Sequence, residues 1–471
     1  MTPPEREMSA GAPPAAGPDV VRSVRQRLLR GSAWTLGGRV SAVVLGLLIN
    51  VILARLLAPA ELGAYFATYT LVLVGSIVAR LGMDRAAVRF ISTAVATGKD
   101  GRARHVVRVV FLVGTAGALA VAAILVLGVG RWLAERVLGS ELLADIVPLA
   151  AAWLVFTTVR VLMVETFRGF NRFDLATLFD SVVMDALAAS VFAVLLVTGQ
   201  RPGLPAIVGL SAVFAAVVAV VAGTLLVGRV RRLGREGRVE RREVLAMSWP
   251  LVIADISSYL LSTGVDLWIL GAFRPLSEVA LYGAASRLIV FIVVPFHMVQ
   301  GVTPPIIAEL HARGRRAELQ DVLRSGAFLA ALPAFLLLLV FTFFGRSVLD
   351  IVFGPFYAQA ATILAILSVG RLVAVWTGSC GVALIMTGHQ RVMMTITVFS
   401  AVLSVTGALV AAPRYGAVGV AVTTAGAAIV QNLLQLFLAR RYVGVWTQSY
   451  LWPARAIRYL RGRGAVETSS G

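Results

Sequence analysis

Charged side chains stand inside long apolar segments of this chain, where a charge is energetically costly. Ionisable groups within membrane segments are rare, and they usually face a water-filled cavity or one another. They are therefore the natural candidates for functional residues. The candidates are five arginines and four aspartates, namely Arg39, Arg80, Arg160, Arg287, Arg371, Asp84, Asp185, Asp255 and Asp266.

The five arginines suit the binding of an anion. A guanidinium stays charged even where it is poorly solvated, and its fork of N–H donors matches phosphate oxygens two at a time. Several arginines in a water-accessible cleft would attract an anionic head group such as a diphosphate. The alternative is that they form internal ion pairs, such as Arg160 with Asp185, that only hold helices together.

The aspartates have two candidate roles. Asp84 follows Arg80 by one helical turn and is a candidate partner or gate for it, and Asp185 lies at a similar depth. Asp255 and Asp266, in the seventh apolar segment, could take a proton or a sodium ion and couple a gradient to movement. The alternative for these two is again a structural pair.

The composition is that of an integral membrane protein. The chain has 471 residues, of which 58% are hydrophobic and 14% charged, and its mean hydropathy is +0.86. The net charge of +19 does not indicate nucleic-acid binding, because the basic residues stand in short blocks between apolar runs. That distribution is typical of a multi-pass protein with basic cytosolic loops.

Apolar segments of about 20 residues span a bilayer as helices, and this sequence is predicted to contain twelve. They cover residues 36–57, 63–84, 108–129, 146–167, 175–198, 205–227, 249–271, 279–303, 325–345, 359–385, 392–411 and 417–439. Of the 43 basic residues, 29 fall on the side that carries both termini and 7 on the other side. The positive-inside rule then predicts that both termini are cytosolic, in the inner membrane of a bacterium.

The sequence indicates neither an enzyme nor a bound cofactor. Its only lysine, Lys99, lies in a loop, so a P-loop is absent, and the four histidines show no metal-ligand spacing. The loops on the predicted outer side are too short for a catalytic domain. We therefore expect no catalytic residue, no metal and no cofactor.

The second half of the chain repeats the pattern of the first. Residues 52–67 read ILARLLAPAELGAYFA and residues 269–284 read ILGAFRPLSEVALYGA, which places Glu61 over Glu278. With six segments per half, the two halves share one orientation and are related by a pseudo-two-fold axis along the membrane normal. The predicted organisation is a disordered cytosolic tail (1–30), an N-terminal six-helix lobe (31–228), a basic cytosolic linker (229–247), a C-terminal six-helix lobe (248–440) and a cytosolic basic and aromatic tail (441–471).

A resemblance to a known family begins in the first two segments. They read GSAWTLGGRVSAVVLGLLINVILARLLAPAELGAYF and continue to LGMDRAAVRFIS. This stretch resembles the polysaccharide-type lipid-linked oligosaccharide flippases of the multidrug, oligosaccharidyl-lipid and polysaccharide exporter superfamily. The resemblance covers about residues 30–440, and its second half matches mainly in layout.

The resemblance implies two six-helix lobes that work by alternating access around a cationic cavity. It implies an undecaprenyl-diphosphate-linked oligosaccharide as cargo, with membrane lipids and a polysaccharide polymerase and chain-length machinery as partners. Arg39 and Arg80 fall in the two helices where the lipid-flippase branch places cavity arginines. The alternatives are an ion-coupled multidrug antiporter of the same superfamily and, less favoured, a polysaccharide polymerase or ligase.

Overall fold

The structure, a computed structural model, describes residues 37–38, 41–234 and 263–450. Every regular element in these ranges is a helix. The first half contains α1 (Ser41–Leu56), α2 (Pro59–Arg80), α3 (Met83–Ala96), α4 (Asp100–Val137), α5 (Glu141–Asp145), α6 (Val147–Gly169), α7 (Phe173–Val197) and α8 (Leu204–Arg231). The second half contains α9 (Thr263–Phe273), α10 (Leu276–Leu288), α11 (Val290–Ala312), α12 (Arg316–Phe343), α13 (Gly345–Phe353), α14 (Ala361–Thr377), α15 (Cys380–Met386) and α16 (Gln390–Tyr442).

Each predicted membrane span contains described helical residues. Nine helical stretches in the described ranges are long and apolar enough to cross a bilayer, with α10 and the start of α11 forming one of them. The long α16 contains two predicted spans and kinks between them, at Gly416. The shorter α1 and α9 match the first and seventh spans, although most of predicted span 249–271 lies outside the described residues.

The internal repeat is visible in the helix boundaries. In the register that aligns Glu61 with Glu278, α1 and α9 end at equivalent positions, and α2 and α10 begin at equivalent positions. Gly98 and Gly314 precede α4 and α12, and both have a positive φ, of 67° and 69°. Glycine adopts this left-handed conformation without steric cost. The described helices therefore fall into two lobes with equivalent boundaries, as a pseudo-two-fold relation requires.

Three boundaries differ from the sequence-based prediction. The second span ends at Arg80 instead of residue 84, because Leu81 and Gly82 turn left-handed and start α3. The tenth span breaks at Gly378. The predicted outer loop near residues 130–145 is largely helical, since α4 continues through two π-helical segments to Val137.

Hydrophobic packing differs between the two ends of the molecule. We call the end with the α1–α2 and α9–α10 turns the turn end, which the arginine distribution predicts to face outward, and the opposite end the basic end. At the turn end and in the middle, one apolar cluster contains residues of both lobes, such as Phe66 and Tyr282. At the basic end each lobe has a separate cluster, around Met83 in one and Leu319 in the other.

The two lobes meet mainly where α2 packs along α10. Glycines allow this close approach, because a Cβ at Gly63 would lie 1.8 Å from the carbonyl oxygen of Leu276. Two hydrogen bonds between other helices also join the lobes. The indole Nε1 of Trp268 donates to the carbonyl oxygen of Ala67 at 3.1 Å, and Arg55 Nη2 donates to that of Ile351 at 3.2 Å.

After α16 the chain returns along the basic end of the C-terminal lobe. Thr447 Oγ1 donates to the carbonyl oxygen of Thr377 at 2.7 Å, and Ser449 N donates to that of Trp376 at 2.8 Å. These carbonyls lie at the end of α14, where the helix break leaves them without helical partners. Residues 443–450 of the predicted tail are therefore packed and non-helical, and residues 451–471 lie outside the described part of the chain.

Replacing Gly63 with alanine should destabilise the contact between the lobes. A methyl group there meets backbone atoms, which yield less than a side chain, so we expect a loss of roughly 1–3 kcal/mol. Thermal unfolding of the detergent-solubilised protein measures the effect. The matched control is Gly228→Ala in α8, where an added methyl meets nothing within 4 Å and should stabilise by up to about 1 kcal/mol. Equal melting temperatures for the two variants would contradict the close approach.

Candidate functional site

A cavity of about 270 Å³, the N-lobe cavity, lies among the helices of the first lobe. Its walls are mostly apolar and aromatic, with a few polar side chains, as is usual for a ligand site. The polar and aromatic groups that line it are Asn50, Tyr65, Tyr69, Trp153, Asp185, Phe192, Ser211, Phe214 and Arg287. All of these except Arg287 come from the N-terminal lobe.

Arg287 projects from the last turn of α10 and so brings a cation from the second lobe to the cavity of the first. Its guanidinium carbon lies 5.3 Å from the ring centroid of Phe66 and 5.7 Å from that of Tyr69. An aromatic face attracts a cation at such distances. Its Nε is buried without a hydrogen-bond partner, and no carboxylate in the described ranges forms an ion pair with it.

The aromatic wall of this cavity is held together by stacking. The ring of Trp153 lies 5.9 Å from that of Tyr65 and 5.7 Å from that of Tyr69. Such contacts between large rings contribute beyond the area that they bury. Tyr69, one of these packed rings, is also one of the two rings that the Arg287 guanidinium contacts. Tyr65 has its counterpart in Tyr282 of the second lobe, and the sequence repeat was the signal that could have marked both.

Arg160 pairs with Asp180 and not with Asp185. Its Nη1 donates to the carbonyl oxygens of Phe179, at 3.1 Å, and of Asp180, and lies 3.7 Å from Asp180 Oδ1. These carbonyls belong to the π-helical segment of α7, Leu178–Val182. Asp180 Oδ2 also accepts from Arg168 at 2.8 Å. Arg160 is thus part of an internal network, whereas Asp185 lines the N-lobe cavity.

Arg80 and Asp84 form an ion pair across the break between α2 and α3. Arg80 Nε lies 3.5 Å from Asp84 Oδ2, and the side chains are 13% and 11% exposed. The two residues are therefore partners, although they belong to different helices. Arg80 Nε and Asp84 Oδ1 lack a hydrogen-bond partner in the described structure. Arg39 and Asp255 lie outside the described residues.

A second cavity, the C-lobe cavity, has a volume of about 310 Å³ and is lined by α11, α14 and α16. Arg371 contributes its only guanidinium among the described lining residues. The other polar side chains that line it are His297, Gln300, Ser404, Thr424, Gln431 and Asn432.

Asp266 lies beside this cavity, buried to 4% exposure. Its Oδ2 accepts hydrogen bonds from Tyr282 Oη at 2.6 Å and Thr424 Oγ1 at 3.0 Å. These two donors compensate for part of the cost of burying the carboxylate. The hydrogen bonds to Asp266 in the described ranges thus come from neutral hydroxyl groups and not from an arginine.

Among the described residues, no three His, Cys, Asp or Glu side chains lie close enough together to hold a metal ion. The candidate site thus consists of two cavities, each with one arginine. Arg80 and Arg160 lie in ion pairs towards the basic end.

Residues 28–311 match the model of a protein family described as polysaccharide biosynthesis protein. The chain belongs to this family. No curated protein sequence matches it. This polysaccharide biosynthesis protein is similar in structure to an inward-facing multidrug resistance MATE transporter of the MOP superfamily, with 14% identity, a TM-score of 0.68, and coverage of 86% of this chain and 94% of that one.

Two further solved structures share the fold. The lipid II flippase MurJ, in an inward closed conformation, has 13% identity and a TM-score of 0.68, with coverage of 91% of this chain and 89% of MurJ. A mutant of the Vibrio cholerae MATE transporter VcmN has 18% identity and a TM-score of 0.60, with coverage of 90% and 97%. At these identities the likeness establishes the fold: this family member is a multi-pass membrane protein with the same two-lobe fold as these transporters.

Replacing Asp180 with asparagine should destabilise the first lobe, because Arg160 loses its charged partner and Arg168 loses one of its two, keeping Glu165. Hydrogen bonds to charged groups contribute about 1.5–3 kcal/mol, and partial exposure places this one near the lower end. The control is Asp174→Asn, which breaks an exposed pair with Arg172 and should cost about 0–1 kcal/mol. Thermal unfolding should separate the two variants; equal shifts would mean that the Asp180 network adds nothing.

Replacing Tyr282 with phenylalanine should also destabilise the protein, by roughly 1–3 kcal/mol, because buried Asp266 loses one of its two donors. Tyr357→Phe is a matched control in the same lobe. The Tyr357 hydroxyl is buried without a hydrogen-bond partner in the described ranges, so its removal should be neutral or stabilising. The melting temperatures of both variants test this prediction. A larger fall in melting temperature for Tyr357→Phe than for Tyr282→Phe would contradict the stabilising role of the Tyr282 hydroxyl.

Proposed function

We propose that the chain is a flippase that moves undecaprenyl-diphosphate-linked oligosaccharide from the inner to the outer leaflet of the bacterial cytoplasmic membrane. The observation that carries the proposal is the position of Arg287. It is a cation from the second lobe, it lines the cavity of the first lobe, and no ion pair with a carboxylate of the described chain neutralises it. A diphosphate supplies the charge that this position lacks.

The arrangement of the lobes supports alternating access. Their cores join at the turn end and are separate at the basic end, so the lobes can part at the basic end without loss of either core. We infer that the basic end faces the cytosol, with both termini, because its loops carry most of the arginines. The substrate would then enter between the lobes from the inner leaflet, with lobes 31–228 and 248–440 moving as units.

Binding of a diphosphate would alter a contact between the two lobes and could thereby drive their movement. Arg287 rests on Phe66 and Tyr69, and both aromatic residues belong to α2 of the other lobe. An anion in the N-lobe cavity competes with these faces for the guanidinium and binds it more strongly, through charge-assisted hydrogen bonds. Binding would thus change the contact between the lobes. Asp185, in the same cavity, is the candidate for gating or ion coupling.

The runner-up function is an ion-coupled multidrug antiporter, which the fold equally permits. An exporter of organic cations needs carboxylates in its cavities. Asp185 meets this need in the N-lobe cavity, but Arg287 opposes it there, and among the described residues that line the C-lobe cavity the charged one is Arg371. The charge of the cavities therefore favours an anionic cargo.

Replacing Arg287 with glutamine should lower the rate of translocation of a lipid-linked oligosaccharide in proteoliposomes by roughly 10- to 100-fold, since a hydrogen bond to a charged group contributes about 1.5–3 kcal/mol. Arg346→Gln, an exposed arginine at the turn end, is the control and should flip at the wild-type rate. Wild-type flipping by correctly inserted Arg287→Gln protein would refute the diphosphate role of Arg287.

A further inference from the structure

We propose that the C-lobe cavity binds the sugar part of the cargo, while the N-lobe cavity binds its diphosphate. The inference rests on the proposed function, because it takes a lipid-linked glycan as the cargo. It concerns a different cavity and a different chemistry from the diphosphate contact of Arg287, so the two can be tested apart.

The side chains of the C-lobe cavity have an unusual chemistry for the interior of a membrane protein. Three of them, Gln300, Gln431 and Asn432, are amides, and each offers both an N–H donor and a carbonyl acceptor. Ser404 adds a hydroxyl group and Arg371 adds a fork of donors. Such groups are expensive inside a membrane bundle unless water or a ligand satisfies them.

Most of these polar groups have no partner in the protein itself. Gln300, Gln431 and Arg371 form neither a hydrogen bond nor an ion pair with the described chain. Asn432 donates from Nδ2 to the carbonyl oxygen of Ala428 at 2.8 Å, which leaves its Oδ1 available. The nearby Gln435 differs, because it is buried and its Oε1 lies 3.5 Å from Cys380 Sγ. Two amides and one guanidinium that line this cavity, Gln300, Gln431 and Arg371, are thus available to a ligand.

The mixture of donors and acceptors selects among ligands. A cation would need a carboxylate, and the described lining contains none. A phosphate only accepts hydrogen bonds, so the amide carbonyls of Gln431 and Asn432 would be left unused. A sugar hydroxyl both donates and accepts, and it therefore matches amides. The cavity is best suited to a polyhydroxylated ring, with Arg371 as an additional donor.

The two cavities are placed so that one molecule can reach both. Val290 lines the N-lobe cavity and Val293 lines the C-lobe cavity. Both follow Arg287 on one helical stretch, Leu276–Gly301. At 1.5 Å per residue, Val293 is roughly 9 Å from Arg287 along the helix axis. A diphosphate at Arg287 would therefore have its attached sugar near the C-lobe cavity.

The test compares two soluble short-chain probes, farnesyl diphosphate and farnesyl diphosphate linked to a hexose disaccharide. Binding to the purified full-length protein in nanodiscs is measured for each. Wild-type protein should bind the glycosylated probe more tightly. Gln431→Leu should weaken the glycosylated probe at least tenfold and leave farnesyl diphosphate unchanged, and Gln300→Leu should act in the same direction. Gln200→Leu, an exposed glutamine in the α7–α8 turn, is the matched control and should change neither affinity.

Each outcome supports or overturns a separate statement. If neither probe binds wild-type protein, the proposed function itself fails. If wild-type protein binds both probes equally tightly, the diphosphate role stands and the sugar assignment is overturned. The same conclusion follows if Gln431→Leu lowers the affinity for both probes by the same factor. Arg287→Gln should weaken both probes alike, which separates its contact from that of the amides. Melting temperatures of the leucine variants, with Gln300→Leu replacing Gln431→Leu if the latter fails to fold, ensure that folded proteins are compared.

Discussion

The close packing of α2 against α10 is the contact on which the rest of the structure depends. It is possible only because Gly63 lacks a side chain where the backbone of Leu276 passes. The contact joins the two lobes into one core at the turn end. The lobes are free to form separate cores at the basic end, and each encloses a cavity of its own. A bulkier residue at this crossing would separate the lobes and remove Arg287 from the cavity that it lines.

The cost of charge in an apolar environment divides the membrane arginines into two groups. Arg80 and Arg160 face carboxylates of their own lobe and are neutralised there. Arg287 and Arg371 line cavities, and no ion pair of the described chain satisfies them. The same residue type thus holds helices together near the basic end and is available to a ligand in the cavities. Burial alone does not distinguish a structural arginine from one that is available to a ligand. The distinguishing feature is whether a carboxylate of the protein pairs with the guanidinium.

The internal repeat provides a common frame, and each lobe uses it differently. Glu61 accepts from the backbone N–H of Ala58 at the start of its own helix, at 2.9 Å, as expected of an acid in the first turn. Its counterpart Glu278 accepts from Ala417 N at 3.2 Å, after the kink in α16. The cavities differ in the same manner, with aromatic rings in one and amides in the other. Equivalent positions in the two lobes therefore give the same helix arrangement, but their side chains make different contacts and line chemically different cavities.

The sequence by itself determined the membrane class, the repeat between the two halves and the set of charged candidates, because hydropathy and charge act locally along the chain. It also predicted Asp84 as the partner of Arg80, and the structure keeps this pair although Leu81 and Gly82 separate the two helices. Only the tertiary structure decided which arginine has a partner: Arg160 meets Asp180 because a π-helical turn of α7 presents that residue, and Arg287 reaches the opposite lobe because α10 crosses α2. The amides of α16 likewise became a candidate site only when packing placed them around one cavity. Contacts between residues distant in sequence depend on how helices cross, and neither periodicity nor charge along a single segment carries that information.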